Sequence, residues 1–287
     1  MSRKPYTRFF RITAFLCALA VLFCGTPVPA EASETASTIH ILLIGQDRRE
    51  GDTVSRADTI LLCSFQPDAK KVIMTSFLRD LYVPIPGHDD NRLNAAYAHG
   101  GMSLLRQTLE ETFDLPIDGC VEVDFSQFAQ ILDILGGVTL ELRQDEAEAV
   151  NAAVEGSLTE GSQQLTGAQA LAYTRIRNLD EDGDFSRTFR QRKVISALMA
   201  SYKGASLFTV LSILPDILPM LSTDMEKKQV ISTVLQLLPM LSDSTYTSQT
   251  VPSEGDFTNS TIRGMSVLTA DLEAIRQELA NSLSGEG

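Results

Sequence analysis

The sequence predicts an α/β or α+β domain, a β-sheet covered by helices. Apolar runs of strand length recur between turn residues, and stretches with helical spacing of Leu and Phe are interleaved among them. The third observation is compositional: 287 residues with 44% hydrophobic and 21% charged side chains are ordinary for a globular protein and long enough for a sizeable core. The same figures exclude wholesale disorder, a collagen-like chain, a disulfide-stapled miniprotein and a polytopic membrane protein.

Residues 1–38 read as a leader and linker. Arg3, Lys4, Arg8 and Arg11 precede an apolar run from Ile12 to Gly25, followed by Pro27, Pro29, Ala30 and Ala32, with no acidic residue before Glu31. This is the pattern of an export signal; extended through Val28, it also suits an uncleaved anchor with its basic end inside. Both readings put the remaining chain outside the cytoplasmic membrane, secreted or anchored. The net charge is −13, and −17 once the leader's four basic residues are set aside, which opposes nucleic acid as the main partner.

Residues 39–204 carry the regular pattern. Ile39 to Gly45 reads as a buried strand; Thr59 to Phe65 and Val72 to Phe77 follow as strands joined by the turn Pro67, Asp68, Ala69, Lys70. Gly101 to Phe113 places Leu104, Leu105, Leu109 and Phe113 on one helical face, and Gly119 to Phe125 alternates as a strand. Ser126 to Leu135 is a helix stopped by Gly136 and Gly137, before a strand from Val138 to Leu142. Thr166 and Gln169 form a capping box for a helix through Tyr173, and a further helix starts near Asp184 or Ser186 and ends at Gly204. Residues 205–287 are expected to complete the domain as a helical portion. There Ile217 to Ser222 recurs as Leu237 to Ser242, implying two proline-interrupted apolar helices, expected to be core rather than a lipid-facing groove. Cys63 and Cys120 are left either to pair or to remain buried thiols.

Two features bear on chemistry. Fourteen of the 20 basic residues after the leader are arginine, twelve of them between Arg48 and Arg192. Arginine grips phosphate or carboxylate oxygens with a planar fork and stays charged when partly desolvated. Arg175 and Arg177 share a face if their segment is extended, and Arg187, Arg190 and Gln191 are spaced i, i+3, i+4 near a helix start, so the set looks like an oxyanion cradle. The alternative for any one arginine is a pairing with a surface acid. The second feature is Asp47 just after the first strand and Asp58 just before the second: a carboxylate pair suits a hard divalent cation, and beside an anion cradle it suggests phosphoryl chemistry, although both are also common turn and cap residues. His40, His88 and His99 lack zinc-site spacing, and neither a phosphate-binding P-loop nor a serine elbow occurs.

Over about residues 39–200 the chain resembles the LytR-CpsA-Psr proteins of bacterial cell envelopes. The likeness runs through Ile41 to Arg49, Arg56 to Thr59, Ser76 to Asp80, Pro84 to Gly87, Asn94 to Tyr97 with Gly100 and Gly101, and Val123 to Phe125. It continues through Asp133 to Val138, Leu165 to Leu171, Tyr173, Arg175 and Arg177, and ends at Asp184, Arg187, Arg190 and Gln191. Ala57, Phe77, Leu78 and Arg92 depart from the usual pattern, and the tail after about residue 204 matches poorly. The resemblance implies a three-layer α/β/α sandwich with a central mixed sheet and a long apolar groove for a polyprenyl-pyrophosphate-linked glycopolymer. It implies transfer of the phosphoglycan to peptidoglycan at the membrane surface, on the extracytoplasmic face. It also implies Mg2+ (or Mn2+) on Asp47 and Asp58, with Arg56, Arg79, Arg175 and Arg177 gripping the pyrophosphate and Arg187, Arg190 and Gln191 completing the head-group site. The alternatives are a pyrophosphate-lipid binder that transfers nothing and an envelope-linked transcriptional attenuator; export and the negative charge speak against direct DNA contact.

Overall fold

Apolar β-branched and leucine runs make β1 (Ile39–Gln46), β2 (Ala57–Gln66) and β3 (Lys71–Phe77) in the computed structural model, which describes residues 38–46, 56–177, 179–180, 184–203, 205–240 and 244–283. The leader and Asp47 lie outside the described residues. β2 and β3 pair antiparallel across the expected turn, closed by the Lys70 N–H donating to the Pro67 carbonyl at 3.2 Å. A short ladder of β4 (Tyr82–Val83) and β5 (Asn91–Arg92) leads into α1 (Leu93–Phe113). That helix is kinked where Gly101 has φ 63°, a conformation a side chain would resist.

The chain continues through β6 (Gly119–Asp124), α2 (Phe125–Ile134), β7 (Val138–Leu142), α3 (Gln144–Ala153), β8 (Gly161–Leu165), α4 (Gly167–Thr174) and α5 (Asp184–Ser201). The tail supplies α6 (Leu207–Ile217), β9 (Ser222–Thr223), α7 (Lys227–Leu237), β10 (Thr245–Val251), β11 (Thr258–Ile262), β12 (Met265–Thr269) and α8 (Leu272–Leu283). Six strands form a central mixed sheet in the order β10-β3-β2-β1-β6-β9, with β10–β3 and β1–β6 parallel and the other pairs antiparallel.

The period-two alternation of the strands divides the core between the two faces. Leu42, Ile44, Ile60, Leu62 and Ile73 point to one face, where Leu105, Leu109 and Phe113 of α1 and Ile275, Leu279 and Leu283 of α8 cover them. Ile41, Leu61, Cys63, Phe65, Val72 and Met74 point to the other, packed by Ile195 and Met199 of α5. A satellite core joins α2, α3, α4 and α5 to the β7–β8 hairpin through Leu132, Leu140, Val150, Leu165, Tyr173 and Val194. This is the expected sandwich of helices, mixed sheet and helices.

Three expectations need amendment. The tail is not simply helical, because β10 forms an edge of the central sheet. Pro219 lies in a 3-10 turn and Pro239 just beyond α7; of the tail's described prolines, only Pro215 sits inside an α-helix. Nor are α6 and α7 core, since none of their described side chains is buried and Phe208 (67%), Ile231 (45%) and Leu235 (42%) are well exposed. Apolar content set the expectation, but it does not fix burial: the described side chains of both helices are half-buried or exposed. Cys63 and Cys120 are buried free thiols, and burial pushes both up to about 12.

Candidate functional site

On the face of the sheet covered by α5, a cavity of ≈ 210 Å³ lies between the strands and helices α2, α4 and α5. Leu43, Leu61 and Val121 form its floor, and Phe128, Leu171 and Ile195 are among the side chains over it. Its walls are held by residues that carry the sequence motifs. Gly167 lets α4 approach α2 closely, because a Cβ there would lie 1.8 Å from the Ala129 carbonyl oxygen, and its N–H donates to Asp133 Oδ1 at 2.7 Å. Thr166 and Gln169 make the expected capping box, and Asp124 and Gln127 make another at the start of α2. These motif residues build the cavity rather than line its reactive end.

At one end the lining changes to Asp58, Arg175, Arg177, Arg187 and Gln191. Asp58 and Arg177 also line a polar cleft of ≈ 580 Å³ shared with Arg56, Arg79, Asp80, Arg92 and Asn94. Apolar cavity and polar cleft are therefore contiguous. Asp58 is presented near the start of β2, and Arg79 follows the end of β3, where its carbonyl accepts from the Asn94 N–H at 3.0 Å. The Arg79 guanidinium donates to Asp58 Oδ1 at 2.5 Å and lies 3.5 Å from Asp80 and 3.4 Å from Asp184. Burial works against its charge, but Asp184, Asp58 and Asp80 outweigh it and hold its pKa above the ordinary arginine value.

Arg187 differs. It is 3% exposed and donates to Asp184 at 2.8 Å, while its Nε and Nη1 have no partner. Burial pushes its pKa down to about 10; Asp184 opposes the shift, and the neighbouring cations Arg79 and Arg177 add to it. A buried guanidinium with two unused donors is costly unless an anion completes it. Arg175 stacks over Phe125, 5.0 Å from the ring centroid.

Of the sequence-derived site residues, Asp58, Arg56, Arg79, Arg175, Arg177, Arg187 and Gln191 meet around this junction. Arg190 does not. It is 2% exposed, donates to Glu146 at 3.0 Å and to Asp180, and faces away from the cradle. At 100° per residue, Gln191 lies 40° from Arg187 while Arg190 lies 60° to the opposite side, within reach of the buried Glu146 carboxylate. Sequence reasoning gave no role to Asp80, Arg92, Asn94 or Asp184. Asp80, Asn94 and Asp184 lay inside recognised motifs, and Asn94 is 4% exposed with an unpartnered Oδ1 in the cleft.

The arrangement can hold an extended apolar group in the cavity while arginines neutralise an anion at its polar end. A magnesium ion asks for one or two carboxylates and leaves its other positions to phosphates and water. Asp58, a hard oxygen donor on the cleft, fits that demand, although among the described residues no cluster of three or more metal-ligating side chains occurs. Among those residues no helix is long and apolar enough to cross a membrane.

The chain is 38% identical over 204 residues to the polyisoprenyl-teichoic acid--peptidoglycan teichoic acid transferase TagU of Oceanobacillus iheyensis; the match covers 68% of this chain and 62% of that protein, so less than two thirds of the relative is spanned. It is 30% identical over 253 residues to the transferase TagT of Bacillus subtilis, covering 86% of this chain and 77% of the relative. Among solved structures, the family protein YwtF (TagT) with bound octaprenyl pyrophosphate lipid superposes with a TM-score of 0.66 at 25% identity, over 89% of this chain and 94% of that one. The LytR_cpsA_psr family model matches residues 25–282, so the motifs, the sandwich and the arginine-lined cavity converge on one conclusion: the chain belongs to the LytR_cpsA_psr family.

Proposed function

We propose that the chain is a phosphotransferase that joins a glycopolymer to peptidoglycan, taking the phosphoglycan from a polyprenyl-pyrophosphate carrier. The observation that carries this reading is the continuity of an apolar cavity with an arginine-rich cleft through Asp58 and Arg177. A prenyl diphosphate has the same division, a hydrocarbon chain ending in a compact multiple anion. The names of the TagU and TagT relatives and the lipid in the YwtF (TagT) structure support it.

In this reading the acceptor sugar hydroxyl attacks the sugar-side phosphorus. A new P–O bond forms as the hydroxyl proton is released to solvent, the bond to the bridging oxygen breaks, and polyprenyl phosphate leaves with the electron pair. Arg79, Arg175, Arg177 and Arg187 neutralise the charge on the diphosphate as it shifts toward the leaving group, and Arg56 and Gln191 orient it; positioning and charge neutralisation are the main demands of phosphoryl transfer. Asp58, with Asp47, would hold magnesium or manganese, which when bound supplies further positive charge. The basic, apolar leader would keep the domain at the extracytoplasmic membrane surface, where lipid donor and peptidoglycan meet.

Incubating the protein with a lipid-linked donor labelled in its prenyl chain tests the proposal. Release of labelled polyprenyl phosphate, dependent on peptidoglycan fragments, is expected. Tight binding without release would instead favour a lipid-capture protein.

A further inference from the structure

Helix α5 has a second polar face. Taking Arg187 as the origin at 100° per residue, Gln191, Ile195 and Leu198 fall within 80° and line the apolar cavity, whereas Phe185, Phe189 and Arg192 fall between 140° and 200°. These three line a separate cavity of ≈ 420 Å³ between the start of α5 and the edge strand β10, whose Ser248 and Thr250 also line it. The acids in this cavity are already engaged or peripheral: Glu146 and Asp180 are bonded to Arg190, Asp180 also to Arg143, and Glu254 is exposed.

Arg192 stands out. It is only 7% exposed, its Nε and Nη1 have no hydrogen-bond partner, and among the described residues no acid pairs with it. Arg190 Nη1, in the same lining, is likewise unpartnered. With no counter-ion, burial pushes Arg192 down to about 10. At the rim, Phe189 is 55% exposed, an aromatic surface of the kind on which a sugar ring packs.

We propose that this cavity is a second oxyanion site that takes an acidic sugar, a ring bearing a phosphate or a carboxylate, with the anion on Arg192 and the ring against Phe189. The unused donors supply the charge-assisted contacts, and the hydroxyls of Ser248 and Thr250 supply polar partners for the ring. The site is separated from the head-group cradle by the thickness of one helix, about 10–12 Å. It does not depend on the transfer proposed above.

The chain has no tryptophan, so Phe189→Trp puts a single fluorescent reporter at the rim. Titration with glucose 6-phosphate and with glucuronate is expected to give a saturable change, and neutral glucose none. A response to one acid alone identifies the site as selective for phosphate or for carboxylate. Adding Arg192→Gln should weaken binding by roughly tenfold or more, and Arg192→Lys should fall between. Adding Arg79→Ala should leave the signal unchanged, which keeps this test separate from the cradle. Arg192→Met should keep or raise the thermal midpoint in ligand-free buffer, because it removes an uncompensated buried charge, whereas a structural arginine would lower it. The proposal is overturned by the absence of a saturable response, by equal affinity in Arg192→Gln, by an equal response to glucose, or by loss of the signal in Arg79→Ala.

Discussion

Two arginine centres sit within a few turns of α5 and share an outward plan: a guanidinium held by two or more carboxylates. Around Arg79 the acids are Asp58, Asp80 and Asp184, the side chain is 20% exposed, and the group faces a solvent-open cleft. Around Arg190 they are Glu146 and Asp180, the side chain is 2% exposed, and Tyr173 packs beside it with its ring centroid 6.0 Å away. The first centre can exchange a carboxylate for an incoming phosphate with little rearrangement. The second ties α3 to α5 and has no such freedom. Membership of a motif therefore does not separate a substrate-binding arginine from a structural one; burial and the position of its acids do.

The largest expected effect breaks the second centre. Arg190→Ala strands the buried Glu146 carboxylate and should cost about 3–5 kcal/mol of stability, read as a lowered urea midpoint. Turnover per folded molecule should survive; a loss of turnover without a loss of stability would erase the distinction. Arg79→Ala is the mirror case, with a barrier raised by about 3–4 kcal/mol, or about 100- to 1000-fold in rate, and a nearly unchanged thermal midpoint. Arg79→Lys should recover only part of the rate, lacking the planar fork. An Arg79→Ala protein that is destabilised yet turns over normally would reassign Arg79 to structure.

Asp58→Asn sharpens the first centre. It should raise the magnesium concentration needed for half-maximal transfer while leaving the fold intact, because Asp58 lies on the cleft and asparagine keeps its size. A magnesium titration matching the parent would remove Asp58 from the metal site. The smallest effect belongs to Arg143, half exposed on α3's N-terminal side and paired, among the described residues, with the exposed Asp145 and the partly exposed Asp180. Arg143→Ala should stay within about 0.5 kcal/mol in stability and leave the transfer rate unchanged.

How much of this the sequence revealed depended on the range of the interactions. The strands β1 to β3, their turn and the capping box at Thr166 were legible because alternation and capping are local. The partners of Arg79 were not, since Asp58 and Asp184 reach it from 21 residues before and 105 residues after. Arg190 was misplaced because i+3 and i+4 spacing both suggest a shared face, and only the buried Glu146 decides between them. The strand β10, Thr-Tyr-Thr-Ser-Gln-Thr-Val, carries little apolar signal because it is an edge strand, and its partner β3 is far away in sequence. For α6 and α7, apolar content identified helices but not how much protein would cover them.

The place of β10 in the sheet also affects how the chain is made. Its parallel pairing with β3, and the covering of one sheet face by α8, cannot form until residues 245–283 have left the ribosome. Such non-local closure slows folding, and until it happens β3 is left as a bare edge open to other strands. For a protein proposed to act outside the cytoplasmic membrane, this delay is useful: the sheet cannot close early, and residues 245–283 complete the fold only after the other strands of the sheet have been made.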